Sequence, residues 1–402
     1  MSRFDQLQIF ERVEEDEFSA DFQRIKRHIP SQECDYASHN LHPYPAKFIP
    51  HYPQVFIKHL TGKSDIVVDP MCGYGTTLIE SCLAKRKAYG IEIDPIGFLC
   101  TSVSTTPLAP SVISKYEKAL FDKLEKDFEN QSYLKLDVPS QKDFPNHNIW
   151  FREDSLKQLL SIQNSINAVF PSNQYRRFAL LCLSAIVRDV SNADPRDIFP
   201  QRDLKNKVRT KKDVLFTFRI SFSQNKQRIL NFGKFVPFSQ GGHVTHGDAR
   251  NMPYPDEFAN LVFTSPPYAY AIDYARVHQL STLLLLMNNE ELRDHRKKYI
   301  GTDRVSLTNG LLTSFDGFEF ARSEIIEVYG KDKKCGLVLY QYFKDMTRVT
   351  QECYRILKPG GYLVYVIGNS TIKQTAFSTD LVFQYITKKC GFTIQRTFER
   401  PY

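Results

Sequence analysis

The 402-residue sequence lacks the patterns that mark several large classes of protein. It contains no run of about 18 apolar residues, so no membrane-spanning helix and no membrane partner are expected. Residues 1–25 are charged and have no apolar core, so no secretory signal is expected. The eight cysteines form no C-x-x-C pair and no H-E-x-x-H cluster occurs, so neither a metal site nor a disulfide framework is indicated. These absences favour the reducing cytoplasm.

The glycine-rich segment Asp69–Thr77 (DPMCGYGTT) does not match two familiar nucleotide-binding loops. It is not G-x-G-x-x-G, and no G-K-[ST] follows it, so neither a dinucleotide fingerprint nor a phosphate-cradling loop is indicated. It does follow the apolar run 66–68 and precede the helical pattern 78–84, in the order strand, turn, helix. Because glycines let a backbone approach a ligand closely, the segment predicts a ligand-binding loop.

An acidic residue ends the next apolar strand pattern. In Ala88–Pro95 (AYGIEIDP), Glu92 stands where a carboxylate can accept hydrogen bonds from both hydroxyls of a ribose. Asp94 is the less favoured choice for this role. For either residue taken singly, a helix-capping or surface carboxylate is the alternative.

The segment Thr264–Tyr268 (TSPPY) is the most informative in the chain. It follows the apolar run 261–263, which predicts a buried strand that ends at a sharp turn. The two prolines fix the turn and remove two backbone donors, so carbonyl groups are left to accept hydrogen bonds. A hydroxyl, a rigid carbonyl and an aromatic ring at one strand end suit a planar base with an exocyclic amino group. A proline-rich loop that only caps the strand is the alternative.

Two further segments add to this pattern. Asn40–Pro50 (NLHPYPAKFIP) has three prolines in eight residues, so it is not a regular helix. A rigid linker is the alternative reading of this segment. His246–Arg250 (HGDAR) precedes the TSPPY segment and contains Asp248, whose carboxylate can accept from an amino group.

In chain order these segments resemble motifs X, I, III and IV of the amino-methylating DNA methyltransferases, and the Ser-Pro-Pro-Tyr form is most similar to the cytosine-N4 branch. LKPGG at 357–361, followed by a strand pattern, is common in class I methyltransferases. The resemblance implies an α/β fold of the class I S-adenosylmethionine-dependent type. It would have a Rossmann-like, mostly parallel, seven-stranded sheet, whose last strand the sequence does not define, and an inserted, largely helical DNA-recognition region.

The resemblance also implies roles for individual residues. Ser265 and the Pro266 carbonyl would accept from the target amine, Pro267 would complete the catalytic turn, and Tyr268 would stack on the base. Asp248 would lie near the adenine of S-adenosylmethionine. The other residues expected to form the cofactor site are Lys47, Phe48, Asp69, Pro70, Cys72, Gly73, Gly75, Thr76, Thr77 and Glu92.

Positive charge is concentrated between the cofactor and catalytic motifs. The stretch 202–228 has nine Lys or Arg against two Asp, which is +7 of the formal net charge of +8. Basic residues near Phe216, Phe218 and Phe222 suit a phosphate backbone and splayed bases, with a solvated face over core aromatics as the alternative. The residues expected to contact DNA are Lys205, Lys207, Arg209, Lys211, Lys212 and Arg219.

The expected organisation has three parts. Residues 1–100 hold N-terminal helices and the cofactor half, and residues 101–241 form the inserted recognition region. Residues 242–402 form the catalytic half, with a second insertion at about 275–335. A helical pattern with an apolar stripe at 175–190 supports a helical first insertion.

The expected function is site-specific transfer of a methyl group from S-adenosylmethionine to the N4 amine of a flipped cytosine in double-stranded DNA. The resemblance also implies a restriction-modification context with a cognate endonuclease, and the oligomeric state stays open. One alternative is adenine-N6 methylation, whose enzymes usually have Asp or Asn where Ser265 stands. The others are an RNA methyltransferase and a non-catalytic DNA-binding module that retains the fold.

Overall fold

A sheet of five parallel strands lies at the centre of the protein. The computed structural model describes residues 17–25, 29–171, 173–194, 197–202, 212–268, 273–304 and 321–398. The strands of the sheet are β1 (Ile66–Asp69), β2 (Lys87–Glu92), β3 (His243–His246), β4 (Ala259–Thr264) and β5 (Leu357–Tyr365). Their order is β3-β2-β1-β4-β5, and every neighbouring pair is parallel. The order reverses between β1 and β4, which is where ligands bind in open α/β sheets.

Helices surround the sheet and form the region between β2 and β3. The helices are α1 (Glu17–Ile25), α2 (His51–Leu60), α3 (Thr76–Leu83), α4 (Pro95–Ser104), α5 (Pro110–Glu129), α6 (His147–Trp150), α7 (Glu153–Val169), α8 (Gln174–Val187), α9 (Val214–Phe235), α10 (Tyr274–Val277), α11 (Gln279–Leu285), α12 (Asn289–Arg296), α13 (Arg322–Lys331), α14 (Lys333–Ile356) and α15 (Thr379–Lys389). Short 3-10 helices occur at Ser31–Cys34, Ser132–Lys135 and Phe238–Gln240. No helix in these ranges is long and apolar enough to span a bilayer.

The parallel α/β sheet agrees with the sequence, but the structure does not show all seven expected strands. Within the described residues the sheet has five strands rather than seven. Two more strands, β6 (Ser370–Ile372) and β7 (Thr375–Phe377), pair with each other as an antiparallel hairpin. The hairpin packs against α13 instead of extending the sheet beyond β5.

The central strands are apolar because helices cover both faces of the sheet. Val67 and Leu261 belong to a buried cluster with α1 and α2 on one face. Val68 and Val262 belong to a second cluster with α13, α14 and α15 on the other face. Full burial of each such side chain stabilises the fold by about 1.5–3 kcal/mol, so the two clusters hold the sheet and fix the positions of its loops.

The helices of the first insertion pack directly onto the cofactor half. Leu78 of α3 and Leu99 of α4 share one buried cluster with Phe178 of α8 and Phe222 of α9. Helix α4 itself runs across residue 101, where the sequence places the start of the insertion. The first insertion and the cofactor half therefore have a common hydrophobic core.

Candidate active site

The predicted site residues meet at one edge of the sheet. Strands β1, β2 and β4 are parallel, so the loops after Asp69, Glu92 and Thr264 leave the sheet on the same side. A cleft of about 2680 Å³ opens there, and it exceeds the ~300–1,000 Å³ of a pocket for one small ligand. The predicted residues that line it are Lys47, Phe48, Pro70, Cys72, Gly73, Thr76, Glu92, Asp248, Ser265, Pro266, Pro267 and Tyr268.

The loop after β1 depends on two glycines in the left-handed region. Gly73 has a φ of 53° and Gly75 a φ of 97°, values that residues with a Cβ rarely adopt. A Cβ on Gly75 would also lie 2.8 Å from Cγ2 of Thr101. The chain can therefore turn tightly from β1 into α3, and the main chain of Gly73 lines the cleft.

Asp69, Gly75 and Thr77 support this loop from behind rather than line the cleft. The buried Asp69 carboxylate accepts from the Met71 N–H at 3.2 Å and from the Thr77 hydroxyl at 2.7 Å. Burial raises the pKa of Asp69 to about 6. The first residue of the motif thus fixes the loop through its main chain and the start of α3.

Glu92 closes the same loop from the end of β2. One of its carboxylate oxygens accepts from the Gly73 N–H at 2.6 Å, and the other accepts from the Asp94 N–H at 2.7 Å. Burial and the nearby Asp94 carboxylate raise the pKa of Glu92 to about 8, while the two N–H groups act in the opposite direction. Each oxygen has a further lone pair, so the carboxylate can still accept from a hydroxyl in the cleft.

The proline-rich segment before α2 brings Lys47 and Phe48 to the cleft. Lys47 Nζ donates to the main-chain oxygen of His39 at 2.7 Å and lies 4.3 Å from the centroid of the Tyr74 ring. Burial lowers the pKa of Lys47. Phe48 packs against Phe263 of β4, with ring centroids 5.9 Å apart. An ammonium group has three donors, so the anchored Lys47 can also meet a carboxylate in the cleft.

Asp248 lies in the cleft just after β3 and is held by an arginine. Its carboxylate accepts from Arg250 Nε at 3.0 and 3.1 Å and from Nη2 at 2.6 Å. Arg250 also lies 3.1 Å from Asp345 on α14 and donates to the main-chain oxygen of Lys298 at 2.7 Å. The Asp248 carboxylate is therefore fixed in orientation, and its remaining lone pairs can accept from an amino group.

Ser265 begins the turn that follows β4. Its hydroxyl lies 3.1 Å from the main-chain oxygen of Val366 and donates to it. The Val366 N–H in turn donates to the oxygen of Thr264 at 2.9 Å. A hydroxyl has one proton, so Ser265 has only lone pairs left for a ligand. Since Pro266 and Pro267 have no N–H, the turn presents hydrogen-bond acceptors to the cleft.

Tyr268 supplies an aromatic surface at the end of this turn. The residue is 45% exposed, although its ring lines the cleft. A Cβ on Gly368 would lie 3.6 Å from the ring, so the chain after β5 passes close to it. An exposed aromatic face beside hydrogen-bond acceptors can stack on a planar ligand.

A group of three tyrosines that line the cleft and one histidine beside them has no role predicted from the sequence. Tyr44 stacks on Tyr274, with centroids 5.9 Å apart and an interplanar angle of 25°, and its centroid lies 4.9 Å from that of His278. His278 Nδ1 and the Tyr299 hydroxyl each lie 2.8 Å from an oxygen of Asp94. The residues come from separate segments, so their aromatic and histidine content was the only available signal.

The predicted DNA-contacting residues fall into two groups. Outside the described residues lie Lys205, Lys207, Arg209 and Lys211. Lys212 is 3.0 Å from Asp189, and Arg219 is 2.6 Å from Glu125 and lies over the Phe121 ring at 4.4 Å. The two described cations are thus paired within the protein, and their contact with DNA stays a prediction.

The phenylalanines of the basic segment differ in exposure. Phe216 is 62% exposed, whereas Phe218 and Phe222 are fully buried. The expectation that this segment offers its aromatics to splayed bases is wrong for Phe218 and Phe222. These two residues are four apart on α9, so they share one helical face, and that face packs against Phe121.

Comparison with known proteins gives a family for the chain. A family model for N6 and N4 methyltransferases, described as DNA methylase, matches residues 12–96. An alignment of 380 residues to the Type II methyltransferase M.MvaI of Kocuria varians shows 27% identity and covers 88% of this chain and 81% of that protein. The chain belongs to the amino-methylating DNA methyltransferases.

Two further relatives show how far the likeness extends. The Type II methyltransferase M.AvaI of Nostoc sp. is 23% identical over 379 residues, which cover 83% of this chain and 74% of that protein. The Type II methyltransferase M.MjaII of Methanocaldococcus jannaschii is 38% identical over 88 residues, which cover 22% of this chain and 16% of that protein. No solved structure gives a significant match.

The matches cover more than the cofactor half of this DNA methyltransferase. The family model spans residues 12–96, which include Lys47, the glycine loop and Glu92. The alignment to M.MvaI covers 88% of the chain, so it also extends over segments outside that span. The likeness therefore includes sequence that forms the second half of the cleft.

Proposed function

We propose that this DNA methyltransferase transfers a methyl group from S-adenosylmethionine to the exocyclic N4 amine of cytosine at a specific site in duplex DNA. The observation on which this rests most directly is the hydrogen bond from Ser265 to the Val366 oxygen. It leaves the hydroxyl with acceptor capacity only, and an exocyclic amine is a ligand that needs acceptors. The names of the relatives, Type II methyltransferases, support site-specific action within a restriction-modification system.

The half of the cleft formed by β1 and β2 fits S-adenosylmethionine. The Gly73 main chain and the Glu92 carboxylate line this half of the cleft. A carboxylate can accept hydrogen bonds from the two hydroxyls of a ribose. The Lys47 ammonium suits the carboxylate of the methionine end, and the Asp248 carboxylate suits the adenine amino group. When bound, this cofactor supplies an electrophilic methyl group on a sulfonium.

The amine of cytosine is a poor nucleophile because its lone pair is delocalised into the ring. Ser265 and the Pro266 carbonyl accept its two N–H groups, which draws the nitrogen toward sp³ geometry and directs its lone pair into the cleft. Tyr268 stacks on the ring of the base and limits its rotation. Methyl transfer would then be a direct displacement: the N–C bond forms as the S–C bond breaks, the cofactor leaves as its neutral thioether, and the amine releases one proton to solvent. Alignment supplies much of the rate.

The target base must leave the duplex to reach this site. The acceptors of Ser265 and Pro266 lie inside the cleft, whereas the amine of a paired base is stacked and already hydrogen-bonded. Flipping the base costs a few kcal/mol, and stacking on Tyr268 offsets part of that cost by about 1–3 kcal/mol.

The choice of cytosine over adenine rests on Ser265. Adenine-N6 enzymes usually have Asp or Asn at this position, and either has a larger side chain with its own carbonyl or carboxylate oxygen. The hydroxyl here is shorter and takes its orientation from Val366. This geometry favours the cytosine amine.

The test is identification of the methylated nucleoside. The full chain is incubated with labelled S-adenosylmethionine and mixed-sequence duplex DNA, the DNA is digested, and the nucleosides are identified by mass and retention. The proposal predicts N4-methylcytosine. N6-methyladenine would keep the reaction class and overturn the choice of base, whereas RNA methylated in preference to duplex DNA would overturn the substrate.

A further inference from the structure

The turn after β2 connects segments that are far apart in the chain. The main-chain oxygen of Ile93 accepts from Nε2 of His246 at 2.9 Å and from Nε2 of His295 at 2.6 Å. Glu92, one residue earlier, holds the Gly73 N–H of the cofactor loop. The turn therefore contacts the cofactor loop, the end of β3 and the second insertion.

Asp94 is the side chain at the centre of this junction. The residue is 2% exposed, and its Oδ1 accepts from the Gly97 N–H at 2.7 Å, which caps α4. The same oxygen lies 2.8 Å from Nδ1 of His278, and Oδ2 accepts from the Tyr299 hydroxyl at 2.8 Å. One carboxylate thus holds the N-terminus of α4 and two residues of the second insertion.

The carboxylate keeps its charge in this buried position. Burial alone raises the pKa of a carboxyl group, but His278 and the donors of Gly97 and Tyr299 outweigh that effect and hold the pKa of Asp94 below its usual value. Burial and the Asp94 carboxylate raise the pKa of the Tyr299 hydroxyl. Tyr299 therefore remains a donor to Asp94 over the working pH range of an enzyme.

The residues that Asp94 holds flank part of the catalytic cleft. Tyr274 lies one helical turn before His278, stacks on Tyr44 and lines the cleft. Tyr299, which follows α12 in the same insertion, also lines the cleft. We propose that Asp94 is a positioning residue for methyl transfer, which fixes His278 and Tyr299, and with them helices α10 to α12, against the strand that ends at Glu92.

This inference rests on the proposed methyl transfer, because positioning matters only if a base and a cofactor meet in the cleft. Helix α10 begins at Tyr274, whose side chain lines the same cleft as Tyr268, so a movement of α10 displaces a side chain of the cleft. A misplacement of about 1 Å can lower a rate by roughly 100-fold. Asp94 itself does not have to touch the substrate for this effect.

The kinetic test uses Asp94→Asn, Tyr299→Phe and the double variant. Asp94→Asn keeps the size and one acceptor of the side chain. Tyr299→Phe removes only the hydroxyl that donates a hydrogen bond to Asp94. We expect Asp94→Asn to lower kcat by roughly 10- to 100-fold, with little change in S-adenosylmethionine affinity measured by calorimetry. The double variant should be no slower than Asp94→Asn alone, since both changes break the same contact. Rates are counted as total methyl label in DNA, so they do not depend on which base is methylated.

A second readout does not require activity. Hydrogen exchange of the full chain should become faster in α10 to α12 in Asp94→Asn and stay unchanged in α14. If the wild-type protein methylates no DNA, the proposed function fails, and the exchange result still decides whether Asp94 fixes this segment.

Asp332→Ala is the matched control, because Asp332 also caps a helix by accepting a main-chain N–H, from Cys335 at 3.0 Å, and does not line the cleft. It should lower thermal stability and leave kcat unchanged. Multiplicative rate losses in the double variant, loss of cofactor affinity equal to the loss of rate, or unchanged exchange in α10 to α12 would each overturn the proposal.

Discussion

The cofactor half and the first insertion of this DNA methyltransferase place their charged side chains in opposite ways. In residues 40–94, Asp69 and Glu92 are buried and accept from main-chain N–H groups. In residues 101–241, Arg219 and Lys212 lie toward the surface and pair with acidic side chains. The buried carboxylates of the first region therefore fix a loop. The described cations of the second region are paired with acidic side chains, which a ligand would have to displace.

This difference explains why a short motif identifies one region and not the other. A buried carboxylate and a left-handed glycine must stand at set positions, so they appear as a contiguous pattern such as 69–77. A surface cation can serve from many positions, so net charge indicates a partner without assigning residues. Substitutions in each region can show whether the two sets of residues have these separate roles.

Among the substitutions that compare these two regions, the largest effect is expected at Gly75. A Cβ there would meet Thr101 at 2.8 Å, and the φ of 97° is unfavourable for alanine. Strain of about 1–3 kcal/mol corresponds to a roughly 5- to 150-fold loss of S-adenosylmethionine affinity if the loop must shift to relieve it. Calorimetry of Gly75→Ala measures this.

The control for the glycine loop is Gly330→Ala. A Cβ on Gly330 would meet nothing within 4 Å on α13, so this variant should bind the cofactor as the wild type does. Equal affinity of Gly75→Ala and Gly330→Ala would show that the loop geometry is not what binds the cofactor.

The second effect concerns the part of the basic segment outside the described residues. A variant with four substitutions to alanine, at Lys205, Lys207, Arg209 and Lys211, should bind duplex DNA more weakly. The slope of log affinity against log salt should fall by about 0.9 for each phosphate group that the variant no longer neutralises. The measurement is a salt titration of DNA affinity.

The matched control for charge removes four exposed lysines of the same insertion. Its substitutions to alanine are at Lys115, Lys118, Lys126 and Lys135. This variant has the same net charge as the first, so a specific interface predicts that it keeps the wild-type salt slope. Equal slopes in the two variants would mean that charge alone, rather than the basic segment, binds DNA.

The third effect is on the pH dependence of stability. The pKa of Glu92 in the folded protein is raised to about 8 from an ordinary value of 4.5. The neutral, protonated Glu92 side chain therefore adds to the free energy of unfolding at low pH. This contribution is lost as pH rises through about 8. Glu92→Gln stays neutral, so its melting temperature should fall less between pH 5 and pH 9 than that of the wild type, and parallel curves would contradict the shift.

The smallest effect is expected at Arg219. Because the guanidinium pairs with Glu125 and Phe121, Arg219→Ala should lower the free energy of unfolding by about 0.2–1 kcal/mol. A salt slope of DNA affinity reduced by about one unit would confirm the predicted contact of Arg219 with DNA. An unchanged slope would contradict that contact.

Part of the fold could be predicted because two of its central strands contain short, fully apolar runs. The runs 66–68 and 261–263 became β1 and β4, and the pattern at 175–190 became α8. The missing information was long-range. Nothing local distinguishes a strand that extends the sheet from β6 and β7, which pair with each other.

The site could be predicted where a side chain with a suitable functional group directly follows or ends a strand. Ser265 and Glu92 both line the cleft, as their motifs indicate. The junction at Asp94 was not predictable, because its partners His278 and Tyr299 are about 200 residues away, and only the folded chain brings them within 2.8 Å. Asp69 was visible as a motif residue, but its role behind the loop depends on burial.

The proposed role of Ser265 is tested most directly by the turnover of Ser265→Ala beside Ser221→Ala. Each variant loses a hydroxyl that donates to a main-chain oxygen, of Val366 and of Cys182 respectively, but only Ser265 lines the cleft. We expect a kcat lowered by roughly 100- to 1,000-fold in Ser265→Ala, with unchanged cofactor affinity and a wild-type rate for Ser221→Ala. A Ser265→Ala enzyme that turns over at the wild-type rate would contradict the claim that this hydroxyl holds the target amine.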